Sequence, residues 1–336
     1  MLTLYTTAPA SFEREPDEYR RVLLDAARWT ERTGCRGLLV YSDNSLADPW
    51  ATAQYLLANT ERVVPMVAVQ PAYMSPYTAA RMISTLALLY GRGLDINLVT
   101  GGFGAHLRAL DCRLDHDERY ARLVEYASVM RSLLQARQPT SHAGRYYRFN
   151  AAGISPALPA ELMPLFFLSG SSPAGVAAQQ ELGMVRFAYP LAIEEYRAGT
   201  DELRGTGIRI GVIARPDGAR AWRLARERFP LDTEGERRHD LAARVVESSW
   251  HRRLSAEAMA AHEPRGAYWL YPFRAYRTFC PYLVGSYAEV AGALSAYVRL
   301  GVRAVILDEP YDEDDLGHAV HAIRMARPAA PTATVP

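Results

Sequence analysis

The stretch Leu94–Tyr120 holds the residue types best suited to chemistry. An apolar segment interrupted by one amide, Asn97, is followed by Gly101, Gly102 and Gly104. Parallel α/β barrels place their sites where strands end in loops of this kind. A buried amide needs hydrogen-bond partners, so Asn97 either binds the edge of a heteroaromatic ring or ties strands together. The residue type alone favours the second.

A second candidate is the loop Ser169-Gly170-Ser171-Ser172, which precedes Pro173 and a helix-forming segment. Small residues let the backbone approach an anion, and the first N–H groups of the next helix can bind a phosphate. The same pattern describes a plain serine N-cap. The sequence does not separate the two interpretations.

His116 and Tyr120 are four residues apart on a predicted helix and therefore share one face. Together they could flank a ring or a phosphate. A histidine near a helix start is, however, often a surface residue.

Arg209 alternates with apolar residues in a predicted strand. If its side chain points into the mouth of a barrel, it is a candidate anion clamp; otherwise it forms a structural ion pair. The aromatic segment 263–285 also contains arginines, Arg277 among them, and it predicts a lid that excludes water. The acidic residues from Asp308 onward resemble a metal site only loosely, and a helix N-terminus explains them better, so no metal is predicted.

Elements that must position these residues alternate between apolar strands and amphipathic helices, which predicts a (β/α)8 TIM barrel with insertions. We predict one domain over 1–326, with a helical and irregular insertion at about 232–285 and a flexible tail at 327–336. Strands are predicted at 2–6, 36–41, 62–69, 94–100, 164–168, 184–188, 207–214 and 302–307, with a hairpin strand at 144–150. Helices are predicted at 16–32, 47–59, 76–90, 116–135, 173–182, 193–204, 219–229, 286–300 and 312–325.

Composition and cysteine spacing argue against several classes of function. The 336 residues carry a net charge of +1, which does not favour nucleic acid or an anionic membrane as a partner. The three cysteines lack the spacing of a zinc site or a disulfide framework. No apolar run is long enough to span a bilayer, and no signal peptide is evident, so a cytoplasmic protein is expected.

Four motifs together resemble the bacterial luciferase-like flavin monooxygenases, and most closely their alkanesulfonate monooxygenase branch. They are INLVTG at 96–101, LDHDERY at 114–120, SPYTAAR at 75–81 and GSS at 170–172. The resemblance runs from about Leu2 to Leu307. It implies a TIM barrel that takes reduced FMN (FMNH2) from a separate NAD(P)H-dependent flavin reductase. With O2 the flavin would form a peroxide that oxygenates a small substrate. It also makes a homodimer or homotetramer plausible.

Roles carry over from this family by position. Asn97 matches the asparagine near the flavin ring, and Tyr120 matches the tyrosine near the FMN phosphate. Arg209 matches a strand arginine of the sulfonate enzymes, and Arg277 lies within one residue of the arginine on their mobile loop. The predicted catalytic residues are Arg209, Asn97 and Arg277. The predicted cofactor-binding residues are Gln70, Ser75, Asn97, His116, Tyr120, Ser169, Gly170, Ser171 and Ser172.

Departures from the sulfonate enzymes fall on the substrate side. Leu46 stands where they have a cysteine, Gly211 where they have a histidine, and Asp308-Glu309 where they have Gly-Tyr. Their histidine after the first strand is also absent. Losing an imidazole and a phenol removes candidate proton donors, and the acidic residues would repel a sulfonate. The resemblance therefore predicts a substrate that is not a simple alkanesulfonate, with an amine-bearing compound as one candidate.

Two alternatives remain open at this point. The same barrel could bind the deazaflavin F420 and transfer hydride without O2. It could also be a flavin-binding homologue that has lost turnover.

Overall fold

The computed structural model describes residues 2–102, 104–197, 199–245, 248–260 and 263–326, and the predicted tail lies outside them. The chain divides into two compact units. The N-terminal unit is Ala8–Glu31 and Arg36–Arg186, and the C-terminal unit is Met1–Thr7, Arg32–Cys35 and Phe187–Pro336. A single-domain organisation stays a prediction.

The strands among the described residues follow the predicted order. In chain order they are β1 (Thr3–Thr7), β2 (Gly37–Val40), β3 (Val64–Val69), β4 (Asp95–Leu98), β5 (Thr140–Ala143), β6 (Arg148–Ala152), β7 (Phe166–Ser169), β8 (Val185–Ala188), β9 (Gly207–Arg215), β10 (Tyr268–Trp269), β11 (Tyr282–Ser286) and β12 (Ala304–Leu307).

The helices lie between or after these strands along the chain. In chain order they are α1 (Pro16–Arg32), α2 (Pro49–Asn59), α3 (Pro76–Tyr90), α4 (Gly104–Ala109), α5 (His116–Gln135), α6 (Pro173–Leu182), α7 (Gly218–Arg228), α8 (Thr233–Val245), α9 (Ser249–Ala260), α10 (Tyr271–Arg274), α11 (Tyr287–Arg299) and α12 (Glu313–Met325). None of the described helices is long and apolar enough to cross a membrane.

In the N-terminal unit, β2, β3, β4 and β7 pair side by side and all run parallel. Apolar side chains of β3, β4 and β7 join those of α3, α5 and α6 in one buried cluster that includes Ile96, Leu123 and Leu168, while those of β2 lie in a second cluster. Both faces of these strands are covered, which explains why they read as continuous apolar runs.

In the C-terminal unit, β12 lies between β1 and β9, and all three are parallel. The first half of β9 also pairs with the end of β8, and its second half pairs with β11. The short β10 is antiparallel to β11. This alternation of parallel strands and helices confirms the predicted (β/α)8 fold class.

Three local predictions were wrong. The helix expected at 193–204 is only a 3-10 turn at Ile193–Glu195, because Gly199 and Gly205 have positive φ and the segment is largely polar. The hairpin strand expected at 144–150 begins only at Arg148, as β6, and 144–147 is the turn that joins β5 to it. The segment 265–285 was expected to be irregular, yet it supplies β11, which pairs with β9.

Side-chain caps mark the starts of several helices. Asp48 caps α2 by accepting from the backbone of Trp50 and Ala51, and Ser75 caps α3. Asp115 forms a full capping box with Glu118 at the start of α5. These caps explain why the helix boundaries could be predicted to within a residue or two.

A buried carboxylate joins the starts of three strands in the N-terminal unit. Asp95 has 0% of its surface exposed. It accepts from Nε and Nη2 of Arg36, at 2.8 and 3.1 Å, and from the backbone N–H of Leu165, at 2.9 Å. Since Arg36 precedes β2 and Leu165 precedes β7, this carboxylate holds both to β4.

Replacing Asp95 with Asn should lower the free energy of unfolding by about 2 kcal/mol, because a buried charged hydrogen-bond acceptor is lost. Urea denaturation followed by circular dichroism measures the change. The matched control is Asp201→Asn, whose pair with Arg204 is mostly exposed, and it should cost no more than about 0.5 kcal/mol. Equal losses in the two variants would contradict the proposed role of Asp95.

The predicted insertion contains a buried histidine pair. Nε2 of His239 lies 2.9 Å from the Ser255 hydroxyl, which lies 3.2 Å from Nδ1 of His251. Nδ1 of His239 lies 3.0 Å from the carbonyl oxygen of Phe273. Burial, reinforced by the nearby His239, lowers the pKa of His251 to about 4. The folded insertion therefore holds a neutral imidazole.

Acid should destabilise the fold through His251. Its folded-state pKa lies below its unfolded value. The contribution of the neutral His251 to the free energy of unfolding is therefore fully present above about pH 6.5 and is lost as the pH falls toward 4. Between pH 7 and pH 5 we expect a loss of about 2 kcal/mol from this group. Denaturation at both pH values, on wild type and His251→Asn, measures it. An equally steep loss in the variant would show that His251 is not the cause.

Candidate active site

The serine loop follows β7 and ends as a helix cap. The hydroxyl of Ser172 accepts from the backbone N–H of Gly175 at 3.2 Å, and Pro173 occupies the first turn of α6. Ser172 is therefore an N-cap, as one of the two interpretations held. Ser169, at the end of β7, and Ser171, just before the cap, remain partly accessible.

Tyr120 lies against this loop. A Cβ built on Gly170 would stand 2.0 Å from the Tyr120 hydroxyl oxygen, and one on Gly175 would stand 3.1 Å from it. Gly170 also has a φ of +146°, which other residues rarely adopt. The ring of His116 lies 5.2 Å from the Tyr120 ring, while its Nδ1 is 2.7 Å from Asp117. The structure thus brings α5 and the serine loop together through a buried phenol.

Arg186 is a residue that sequence reasoning missed. It lies in β8 and is 3% exposed. Its Nη1 donates to the carbonyl oxygen of Gly170 at 2.9 Å, and its Nε donates to Gln179 at 3.0 Å. A charged residue inside an apolar strand was the available signal. Arg186 thus fixes the loop carbonyl and places a guanidinium next to the serine loop.

Asn97 is buried in β4, between Ala68 of β3 and Phe167 of β7. Its Oδ1 accepts from the hydroxyl of Ser169 at 3.0 Å. The amide therefore ties two strands together, as the residue type alone favoured. The same bond fixes the start of the serine loop.

Two further candidates follow β3. Gln70 is 5% exposed, and its Nε2 lies 2.8 Å from the point where a Cβ on Gly101 would stand. Since Gly101 also has a φ of +87°, only glycine fits beside the glutamine. Ser75 caps α3 and lies on an open cavity of about 660 Å³. The other residues that line this cavity are Pro71, Ala72, Tyr73, Met74, Asp111, Cys112, Arg113, Leu114, Arg122, Tyr146 and Tyr147.

In the C-terminal unit, Arg209 is held by a carboxylate and a phenol. Its Nη2 donates to Oδ1 of Asp308 at 3.2 Å, and its Nη1 donates to the Tyr189 hydroxyl at 3.4 Å. The Tyr282 hydroxyl donates to the other carboxylate oxygen at 2.9 Å. Tyr189 in turn stacks on Trp250 of α9, with ring centres 3.7 Å apart.

Tyr282 occupies space that Gly211 leaves empty. A Cβ on Gly211 would stand 2.3 Å from the Tyr282 ring. Side chains two residues apart share one face of a strand, so the ring lies on the face that carries Arg209. Burial raises the pKa of the Tyr282 hydroxyl well above its ordinary value, so it stays protonated. A phenol from β11 therefore fills the space beside Gly211.

The arginines of the segment 263–285 are also paired. Their carboxylate partners belong to the same unit: Arg277 with Asp232, Arg274 with Glu236, and Arg265 with Glu195. Arg277, the predicted catalytic one of the three, is separated from Asp232 by 2.5 Å and is about half exposed. Within the described ranges, no group of three or more histidine, cysteine or acidic residues is arranged to hold a metal.

The model of one protein family, the luciferase-like monooxygenases, matches residues 2–304. The chain belongs to the luciferase-like monooxygenase family. The predicted resemblance and the prediction of an enzyme of this class are therefore confirmed.

One relative in this family is 34% identical over 307 residues, covering 90% of each chain. It is the 4-(gamma-L-glutamylamino)butanoyl-[BtrI acyl-carrier protein] monooxygenase BtrO of Niallia circulans. The EDTA monooxygenase of Chelativorans sp. BNC1 has a TM-score of 0.74 at 16% identity, over 96% of this chain and 93% of its own. An F420-dependent secondary alcohol dehydrogenase has a TM-score of 0.65 at 17% identity, over 97% and 99%. The two structures show a shared fold.

This member of the luciferase-like family keeps its predicted cofactor residues within one unit. Asn97, Tyr120 and the serine loop are in contact in the N-terminal unit. Gln70 and Ser75 belong to the same unit, whereas Arg209 and Arg277 belong to the C-terminal unit. That Asn97, Tyr120, Ser171 and Arg209 converge on one mouth stays a prediction.

Replacing Gly170 with Ala should lower the free energy of unfolding by about 2 kcal/mol, because its Cβ would strike the Tyr120 hydroxyl at a positive φ. The double variant Gly170→Ala/Tyr120→Phe should recover part of the loss. Thermal and urea unfolding measure both. Gly183→Ala is the control, because its φ is also positive while no atom lies within 4 Å, and it should cost about 1 kcal/mol. Strict additivity of the Gly170 and Tyr120 substitutions would contradict the contact.

Proposed function

We propose that the protein is the oxygenase of a two-component system. It would take reduced FMN from a separate NAD(P)H-dependent flavin reductase and use O2 to oxygenate a small organic substrate. Membership of the luciferase-like family supports this class. The observation that carries the proposal is the contact of the buried Tyr120 hydroxyl with the serine loop at the start of α6.

The donors in the N-terminal unit suit FMN. A helix N-terminus, serine hydroxyls, a phenol and the nearby guanidinium of Arg186 are groups that bind a phosphate monoester. We assign Ser169, Gly170, Ser171, Ser172, Tyr120 and His116 to the phosphate end. Asn97, Gln70 and Ser75 would lie beside the ring. When bound, reduced flavin supplies the electrons that activate O2.

The protein's own residues would bind, orient and exclude water. The side-chain oxygen of Asn97 already accepts a hydrogen bond from Ser169, so the flavin ring would contact the amide NH2 group. Gln70 and Asn97 are both buried, which makes their hydrogen bonds stronger than they would be in water. Because reduced FMN is the proposed substrate form, oxidised FMN should bind weakly.

The substrate is proposed only by class. The relative from Niallia circulans is named for an amide-containing acyl group held by a carrier protein. We propose that the substrate of this chain is an acyl compound of that kind, free or carrier-bound, rather than a simple alkanesulfonate. A homodimer or homotetramer in the cytoplasm, with Arg209 and Arg277 serving the substrate, completes the proposal.

A second candidate is hydride transfer with F420. It is favoured by the likeness in fold to the F420-dependent alcohol dehydrogenase. That reaction would not need O2. A flavin-binding homologue without turnover would bind reduced FMN and leave the substrate unchanged.

Rapid mixing of the anaerobic protein and reduced FMN with oxygenated buffer tests the proposal. The flavin spectrum should return to the oxidised form more slowly than that of free reduced FMN. Ser171→Ala or Tyr120→Phe should weaken the binding of reduced FMN about tenfold, because one hydrogen bond to a charged phosphate is lost. Ser128→Ala, on the exposed side of α5, is the control. Reoxidation at the rate of free reduced FMN would contradict the proposal and favour the F420 alternative.

A further inference from the structure

We propose that Asp308, positioned by Tyr282, neutralises Arg209, so that this part of the C-terminal unit accepts a neutral or amine-bearing substrate group and rejects sulfonates and carboxylates. The inference rests on the proposed function, because it names the class of substrate for that site.

The Arg209–Asp308 pair is fixed by the backbone. Arg209 lies in β9 and Asp308 directly follows β12, and the two strands are paired in parallel with Ile306 opposite Arg209. The backbone N–H of Asp308 also donates to the carbonyl oxygen of Ile210 at 3.2 Å. Only 11% and 12% of the two side chains are exposed. The carboxylate therefore reaches the guanidinium without any movement of a loop.

Tyr282 completes the arrangement by using the second carboxylate oxygen. Oδ1 of Asp308 accepts from Arg209, while Oδ2 accepts from the Tyr282 hydroxyl. The Tyr282 ring is held in place over Gly211, because that residue has no Cβ to exclude it. Burial keeps the phenol protonated, so it remains a donor over the working pH range. Tyr282 thus acts as a positioning residue for Asp308.

An incoming anion would have to separate this pair. The Asp308 carboxylate would then be buried next to a second negative charge. The free energy of that repulsion exceeds the attraction between the anion and one guanidinium. An ammonium group or a neutral amide meets no such repulsion. Arg274 and Arg277 do not supply a replacement, since each is already paired with a carboxylate.

The test is a single substitution that should create an anion-binding site at Arg209. Asp308→Asn keeps the shape and the acceptor for Tyr282 but removes the charge that neutralises Arg209. Decanesulfonate and decylamine are the probes, with binding followed by calorimetry and by the shift in unfolding temperature, without flavin. The variant should bind decanesulfonate at least about tenfold more tightly than wild type. The double variant Asp308→Asn/Arg209→Gln should lose that gain.

The matched control is Glu234→Gln, which removes the carboxylate partner of the exposed Arg237 elsewhere in the same unit. It should not gain affinity for decanesulfonate. If Asp308→Asn fails to fold, Tyr282→Phe is the second variant. It keeps the Asp308 charge, so it should give no gain in affinity for decanesulfonate, and a gain would contradict the inference. In wild type, decylamine should bind more tightly than decanesulfonate.

Two further results would overturn the inference. One is wild-type binding of decanesulfonate that depends on Arg209, and the other is no gain in folded Asp308→Asn. The flavin measurement is separate: failure of reduced FMN to bind would remove the proposed function and leave these results unaffected. Normal flavin handling without a gain in the variant would remove only the substrate class proposed here.

Discussion

The pairing of buried charges is the constraint on which both units depend. A guanidinium or carboxylate inside the protein is tolerated only when hydrogen bonds and an opposite charge compensate for lost water. Asp95 meets this requirement with Arg36 at the start of the first parallel strands. Asp315 meets it in the C-terminal unit, where Arg215 and Arg228 both donate to its carboxylate. The active-site candidate Arg209 obeys the same rule through its pair with Asp308.

The two arginines have different hydrogen-bond partners. Beside the serine loop, Arg186 donates to a backbone carbonyl and to the side-chain amide of Gln179. Arg209 faces a carboxylate, so its charge is cancelled. An anion near Arg209 would therefore gain little from its guanidinium.

Local chemistry explains what the sequence could predict. Helices α1, α3 and α5 begin and end at the predicted residues, because proline, capping side chains and Gly91 mark their ends. Asn97, Tyr120 and the serine loop were recognisable because their motifs are contiguous. Arg186 and Tyr282 were missed, since their roles arise only when distant strands pair. The pairing of Arg209 with Asp308 likewise spans about a hundred residues, and no local pattern announces it.

The stacking of Tyr189 on Trp250 has an optical consequence. The Tyr189 hydroxyl accepts from Arg209, while its ring lies flat on the indole at 3.7 Å. A change in the position of the guanidinium would be passed to the ring and so to the environment of one tryptophan. The fluorescence of Trp250 should therefore change when a ligand binds next to Arg209, and the change can be followed without any added dye or flavin.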